Sequence, residues 1–154
     1  MSQPAPGTPR VLDLTLLPDA LAVCRLPAGA DTPAWLDGEP FASVTRTPEE
    51  TSVVCRAEVV PQGVRAELGW RALRVAGPLD FALTGVLLSL LGPLAAAGVS
   101  VFALSTFDTD YVLVQEAVLD DAVVALGAVG HRIAGAGEGA GVESGVTVGA
   151  FGDG

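Results

Sequence analysis

The chain has 154 residues, 50% of them hydrophobic, and a formal net charge of −10 from 8 basic and 18 acidic side chains. That length supports one ordinary domain or two very small ones around a packed core. All 8 bases are Arg, dispersed along an acidic chain, a pattern that argues against nucleic acid and membranes as partners.

The N-terminal MSQPAPGTPR has no apolar stretch and reads as a disordered leader over residues 1–10, not a signal peptide. Leu12–Leu17 and Leu21–Leu26 are predicted strands around the turn Pro18-Asp19. Thr32–Leu36 is a short capped helix with Pro33 at its first position. Strands follow at Phe41–Arg46 and Ser52–Cys55, flanking Thr47-Pro48-Glu49-Glu50, and another at Trp70–Ala76. Cys24 and Cys55 sit in apolar strand-like runs without CxxC spacing. They are expected to be buried reduced thiols, with no metal site, in a cytoplasmic protein.

Asp80 is placed as the cap of a helix running to about Ala97, with Leu83, Val86, Leu87, Leu90, Leu91 and Leu94 on one wide apolar face. The stretch from Phe81 to Phe107 carries no charge, long enough to raise a membrane span. Gly92-Pro93 interrupts it, Gly98 stops the helix, and no basic cluster flanks it, so a buried helix followed by a strand is expected. Ser100–Ser105 and Tyr111–Gln115 form a hairpin, Glu116–Val129 an amphipathic helix ending at Gly130, and Arg132–Ala134 a last strand. From Gly135 the chain is Gly-rich and aperiodic, a loose tail in which Val142, Val146 and Val148 offer at most an edge strand.

The second half therefore reads β-α-β-β-α-β, an α+β plan of the ferredoxin-like type, with an antiparallel sheet and both helices on one face. A weak repeat makes the first half a degenerate copy. Aligning SVTRTPEETSVVC with FALSTFDTDYVLV matches Thr47 to Thr106, Glu49 to Asp108 and Val53 to Val112. The expected division is 11–66 for the first, degenerate unit, 67–134 for the second and 135–154 for the tail. Units this small are expected to pack on each other and the chains to pair as homodimers.

The run GPLDFALTGVL…PLAAAGVSVFALSTFDTDYVLV, with SVTRTPEETSVVC upstream, resembles the tandem ACT-domain proteins, among them the CASTOR-type arginine sensors and the ACT regions of aspartate kinases. The resemblance implies two ACT domains, no catalysis of their own, and an amino acid held at a domain or subunit interface. Carried across by position, it assigns the ligand to the turn Ala82, Leu83, Thr84, Gly85 and Val86 and to the hairpin loop Thr106, Phe107, Asp108 and Asp110. Leu83 stands where the arginine sensors place a carboxylate, so a guanidinium would lose its paired acceptor. The resemblance with that departure implies a less basic, apolar or aromatic amino acid rather than arginine.

Each of these residues also has a structural reading. Gly85 serves either the approach of a ligand carboxylate to helix N–H groups or close helix–sheet packing. Asp80 is a helix cap or an ammonium ligand. Asp108 and Asp110 bond their own turn or an ammonium group. Thr106 closes the turn or donates to a carboxylate, and Phe107 walls a pocket or packs between domains. His131 reads as a surface residue, Trp35 and Trp70 as core or interface aromatics. No nucleophile–base pair, metal cluster or phosphate loop appears, so neither an enzyme nor a cofactor is expected. The competing reading is a pairing module that has lost its ligand.

Overall fold

A computed structural model describes residues 10–80 and 82–135. The predicted leader up to residue 9 and the tail beyond Gly135, with its candidate edge strand, lie outside the described residues. The strands are β1 (Asp13–Leu16), β2 (Leu21–Leu26), β3 (Ala42–Arg46), β4 (Thr51–Arg56), β5 (Arg65–Val75), β6 (Phe102–Ser105), β7 (Asp110–Gln115) and β8 (Arg132–Gly135). The α-helices are α1 (Val86–Ala96) and α2 (Leu119–Ala128). Three-residue 3₁₀ turns at Ala34–Leu36, Ala57–Val59 and Glu116–Val118 complete the set.

Two compact units divide the chain. One spans Asp19–Arg71; the other combines the described residues up to Pro18 with those from Ala72 to Gly135. Within Asp19–Arg71 the strand order is β3-β4-β2-β5, with every neighbouring pair antiparallel. This is the ferredoxin-like order, but each connection that would hold a helix holds only a 3₁₀ turn. Its core gathers Ala22, Cys24, Leu36, Val53 and Cys55. A bidentate pair pins the first connection: Arg56 Nε and Nη2 donate to Glu39 Oε1 and Oε2, both at 2.9 Å.

In the other unit, called the helical unit below, the order is β6-β7-β5-β1-β8. Here the expected grouping differs. The strand predicted at Leu12–Leu17 does not belong with β2. It lies antiparallel to β5 (Leu14 opposite Val75) and parallel to β8 (Leu14 opposite Ile133). Burial of Leu14 and Leu16, at 0% and 6% exposure, in the core under α1 and α2 places it there. By contact the described residues thus group as 19–71 and as 72–135 with the N-terminal strand, which shifts β1 and the end of β5 relative to the expected 11–66 and 67–134.

Three further expectations change. Strand β5 begins at Arg65, not Trp70, because Ala66 and Glu67 already pair with Cys24 and Val23. The helix predicted from Asp80 begins at Val86. Gly85 has φ of 81°, a left-handed conformation that a right-handed helix cannot include. Asp80 instead closes a local turn, its Oδ1 accepting from the Ala82 N–H at 2.8 Å.

His131, read as a surface residue, is buried at 4% exposure. Pro93 lies inside α1 and has no N–H to give to the Ser89 carbonyl four residues back. His131 supplies the missing donor: its Nε2 lies 2.7 Å from Ser89 O, and its Nδ1 accepts the Leu12 N–H at 3.0 Å. That pairing assigns the neutral Nε2–H tautomer.

Candidate functional site

In the helical unit, the segment leading into α1 and the loop between β6 and β7 are held together by backbone contacts. Gly77 passes so close to the loop that a Cβ there would stand 3.0 Å from Asp108 O and 3.1 Å from Thr109 Cβ. Leu79 N–H then donates to Asp108 O at 2.7 Å, and buried Thr109 donates through Oγ1 to Val75 O at 2.6 Å, fastening the loop to the end of β5.

The loop closes on itself through Thr106, whose N–H and Oγ1 both reach Thr109 O, at 2.8 and 3.1 Å, while Oγ1 accepts the Thr109 N–H at 3.3 Å. The upstream copy has the same design. Thr47 N–H reaches Glu50 O at 2.9 Å, and Thr47 Oγ1 bonds Glu50 O and accepts from the N–H groups of Glu49 and Glu50. The repeat matched by sequence is thus a turn with one hydrogen-bond pattern, and Thr supplies it in both units.

The two segments enclose a cleft of about 200 Å³. Leu79, Leu83, Val86 and Phe107 give it an apolar wall, and Asp80, Asp108 and Asp110 give it carboxylates, with Ser105, Thr106 and Thr109 between. Asp80 is engaged by Ala82, and Asp110 Oδ1 accepts from Ser105 Oγ at 2.6 Å. Among the described residues no hydrogen-bond donor meets the Asp108 carboxylate. No basic residue among those described lines the cleft, so the lining carries negative charge. Close by, α1 begins without a side-chain cap, and the first N–H groups of a helix have no intrahelical acceptor. The cleft therefore offers a hydrophobic wall, acceptors for a cation, and a helix N-terminus suited to an anion.

Six of the nine residues assigned from sequence line this cleft: Leu83, Val86, Thr106, Phe107, Asp108 and Asp110. Ala82, Thr84 and Gly85 belong to the lead-in turn but do not line it. Sequence reading missed Leu79, Ser105 and Thr109, and read Asp80 chiefly as a helix cap. The signal for Thr109 was its match to Glu50 in the repeat, both closing a Thr turn. Leu79 depends on the fold of the Gly77 segment against the loop, which leaves no periodic trace.

Elsewhere the chemistry is quiet. Cys24 and Cys55 are free and buried, and burial raises both thiols, Cys55 to about 12. Among the described residues no group of three His, Cys, Asp or Glu stands ready to hold a metal ion. No helix among them is long and apolar enough to cross a membrane.

Residues 65–128 match the family model for the ACT domain, and residues 19–63 match a separate model for an N-terminal domain. The chain is 37% identical to a solved protein of Agrobacterium tumefaciens, with a TM-score of 0.78 over 82% of this chain and 95% of that one. It shares its fold with the regulatory subunit of aspartate kinase from Thermus flavus, at 13% identity and a TM-score of 0.54, covering 75% of this chain and 95% of that one. A stretch of 48 residues is 46% identical to the human cytosolic arginine sensor for mTORC1 subunit 1, which is 30% of this chain and 15% of that protein's length.

Proposed function

The chain belongs to the ACT-domain family, and we propose that it is a regulatory protein that binds an amino acid in the cleft between the α1 lead-in turn and the β6–β7 loop, without catalysing a reaction. The observation that carries this reading is the convergence of an uncapped helix N-terminus, three carboxylates and an apolar wall on one small cleft. The ligand carboxylate meets the first N–H groups of α1, and its ammonium group meets Asp108 or Asp110. Leu79, Leu83, Val86 and Phe107 favour an apolar or aromatic side chain. Asp80, which also lines the cleft, gives a guanidinium an acceptor that Leu83 does not, so arginine is the competitor a screen must include.

In a homodimer, occupancy regulates by favouring one arrangement of the two copies over another, to the extent that the ligand binds the two arrangements differently. A partner protein then reads that arrangement. The negative surface and the cytosolic relative fit a cytoplasmic role away from nucleic acid and lipid.

A thermal-shift screen against the common amino acids tests the proposal. One of them should give a saturable rise in melting temperature, since a ligand of the native state stabilises it. Asp110→Asn should weaken that response about tenfold or more. A second reading, a pairing module without a ligand, is favoured by the engagement of Asp80 and Asp110 with their own turns. A flat response to every amino acid with dimerisation intact decides for it.

A further inference from the structure

We infer that Arg10, just ahead of β1, is a positioning residue that clamps the lead-in turn of α1 in the shape that forms the cleft. The inference rests on the ligand reading above only for its effect on binding; the clamp itself rests on hydrogen bonds. Gly85 caps α1 with no side-chain cap bond and in a left-handed conformation, so the arrival of the chain is fixed by bonds to its carbonyls. Thr84 O is held from outside the helix, and Gly85 O by Ser89, one turn into α1. Arg10 Nε donates to Thr84 O at 2.8 Å. The Arg10 backbone N–H donates to Ser89 Oγ, and Ser89 Oγ–H passes the bond on to Gly85 O at 2.6 Å.

The donors and acceptors balance. The Ser89 hydroxyl has one hydrogen, which goes to Gly85, and accepts one, which comes from Arg10. Ser89 is itself buried at 3% exposure, and its backbone carbonyl is fixed by His131. Thr84 and Gly85 lie between Leu83 and Val86, two cleft-lining residues, so any shift of the clamped carbonyls moves the cleft wall. A small displacement of a binding group is enough to lower affinity substantially.

The test uses the full chain and Arg10→Ala, which removes the guanidinium but keeps the backbone donor to Ser89. Amide hydrogen exchange is followed at Ser89, whose N–H bonds Gly85 O at 3.0 Å, with Ala97 at the far end of α1 as the control. Affinity for L-leucine, L-phenylalanine and L-arginine is measured by calorimetry, and the urea midpoint reports global stability. The expected result is exchange at Ser89 faster by about tenfold, Ala97 and the urea midpoint little changed, and a dissociation constant raised by a similar factor for whichever amino acid binds. Ser89→Ala, which breaks the relay at its centre, should reproduce the same pattern.

Unchanged exchange at Ser89 in Arg10→Ala overturns the clamp. Faster exchange with unchanged affinity shows a clamp that does not shape the cleft and overturns the positioning role. If none of the three amino acids binds the unaltered chain, the ligand reading fails while the exchange result still decides the clamp.

Discussion

The two units of this chain share a turn and three strands in like order, β3-β4-β2 and β6-β7-β5, but β1 enters the helical unit between β5 and β8, and the units differ in what crosses the sheet. In Asp19–Arg71 the crossovers hold three-residue 3₁₀ turns; in the helical unit they hold helices of 11 and 10 residues. The turn at Thr47 and the turn at Thr106 close with the same bonds, yet only the second faces a helix N-terminus across a cleft. The antiparallel order of β3-β4-β2-β5 is thus carried by paired, alternating apolar positions without helices. A site that draws on a helix terminus needs the helix. Where the helix is gone, the Glu39–Arg56 pair holds the connection that an apolar helix face holds in the other unit.

Core truncations should separate the units most. Leu94→Ala in α1 removes a side chain that is fully buried, and is expected to cost about 2–5 kcal/mol, near the top of that range. Leu36→Ala, in the matching 3₁₀ turn and 7% exposed, should fall at the bottom of it. Urea denaturation measures both. Alkylation of the buried Cys24 and Cys55 reports opening of the unit that holds them, and Leu36→Ala should speed it more than Leu94→Ala does. Equal costs would mean that the 3₁₀ crossover is packed as tightly as the helix.

The helical unit alone depends on His131. His131→Ala strands the Leu12 N–H and the Ser89 carbonyl, at about 1–3 kcal/mol for each buried group left without a partner. Adding Pro93→Ala restores an N–H able to reach Ser89 O, so the double variant should regain part of the lost stability. A double variant that melts no higher than His131→Ala breaks this account.

The repeated turns give a matched pair at smaller scale. Thr47→Val and Thr106→Val should each cost about 1 kcal/mol through the lost hydroxyl bonds. Only Thr106→Val should also lower the amino-acid response in the thermal-shift screen, and a loss of that response in both would place the ligand elsewhere.

The smallest effect is acid-dependent and confined to Asp19–Arg71. The side-chain bond to Arg56 holds the Glu39 carboxyl below its usual range. The pair's stabilisation is therefore complete above the unfolded carboxyl value of about 4.3 and drains away as pH falls through the lower folded value. Glu39→Gln should be less stable near neutrality and flatter in acid; an unaltered acid slope removes the pair as its cause.

The elements themselves were legible from local chemistry. Val53, Val112 and Leu14 sit at alternating or continuous apolar positions that specify strands, Gly98 and Gly130 end helices by their positive φ, and the Thr47–Thr106 match marks the repeated turn in the sequence itself. These signals are read within a few residues, so a sequence carries them whole. Three things needed the tertiary structure. The place of β1 between β5 and β8 depends on which core its leucines enter. The burial of His131 depends on a carbonyl left open by Pro93, 38 residues away in sequence by the numbering. The cleft depends on Leu79 meeting Asp108 across the sheet end. Periodicity fixes which face of an element is apolar, but the partner of a single buried polar group is chosen by three-dimensional proximity, and nothing in the local pattern encodes it.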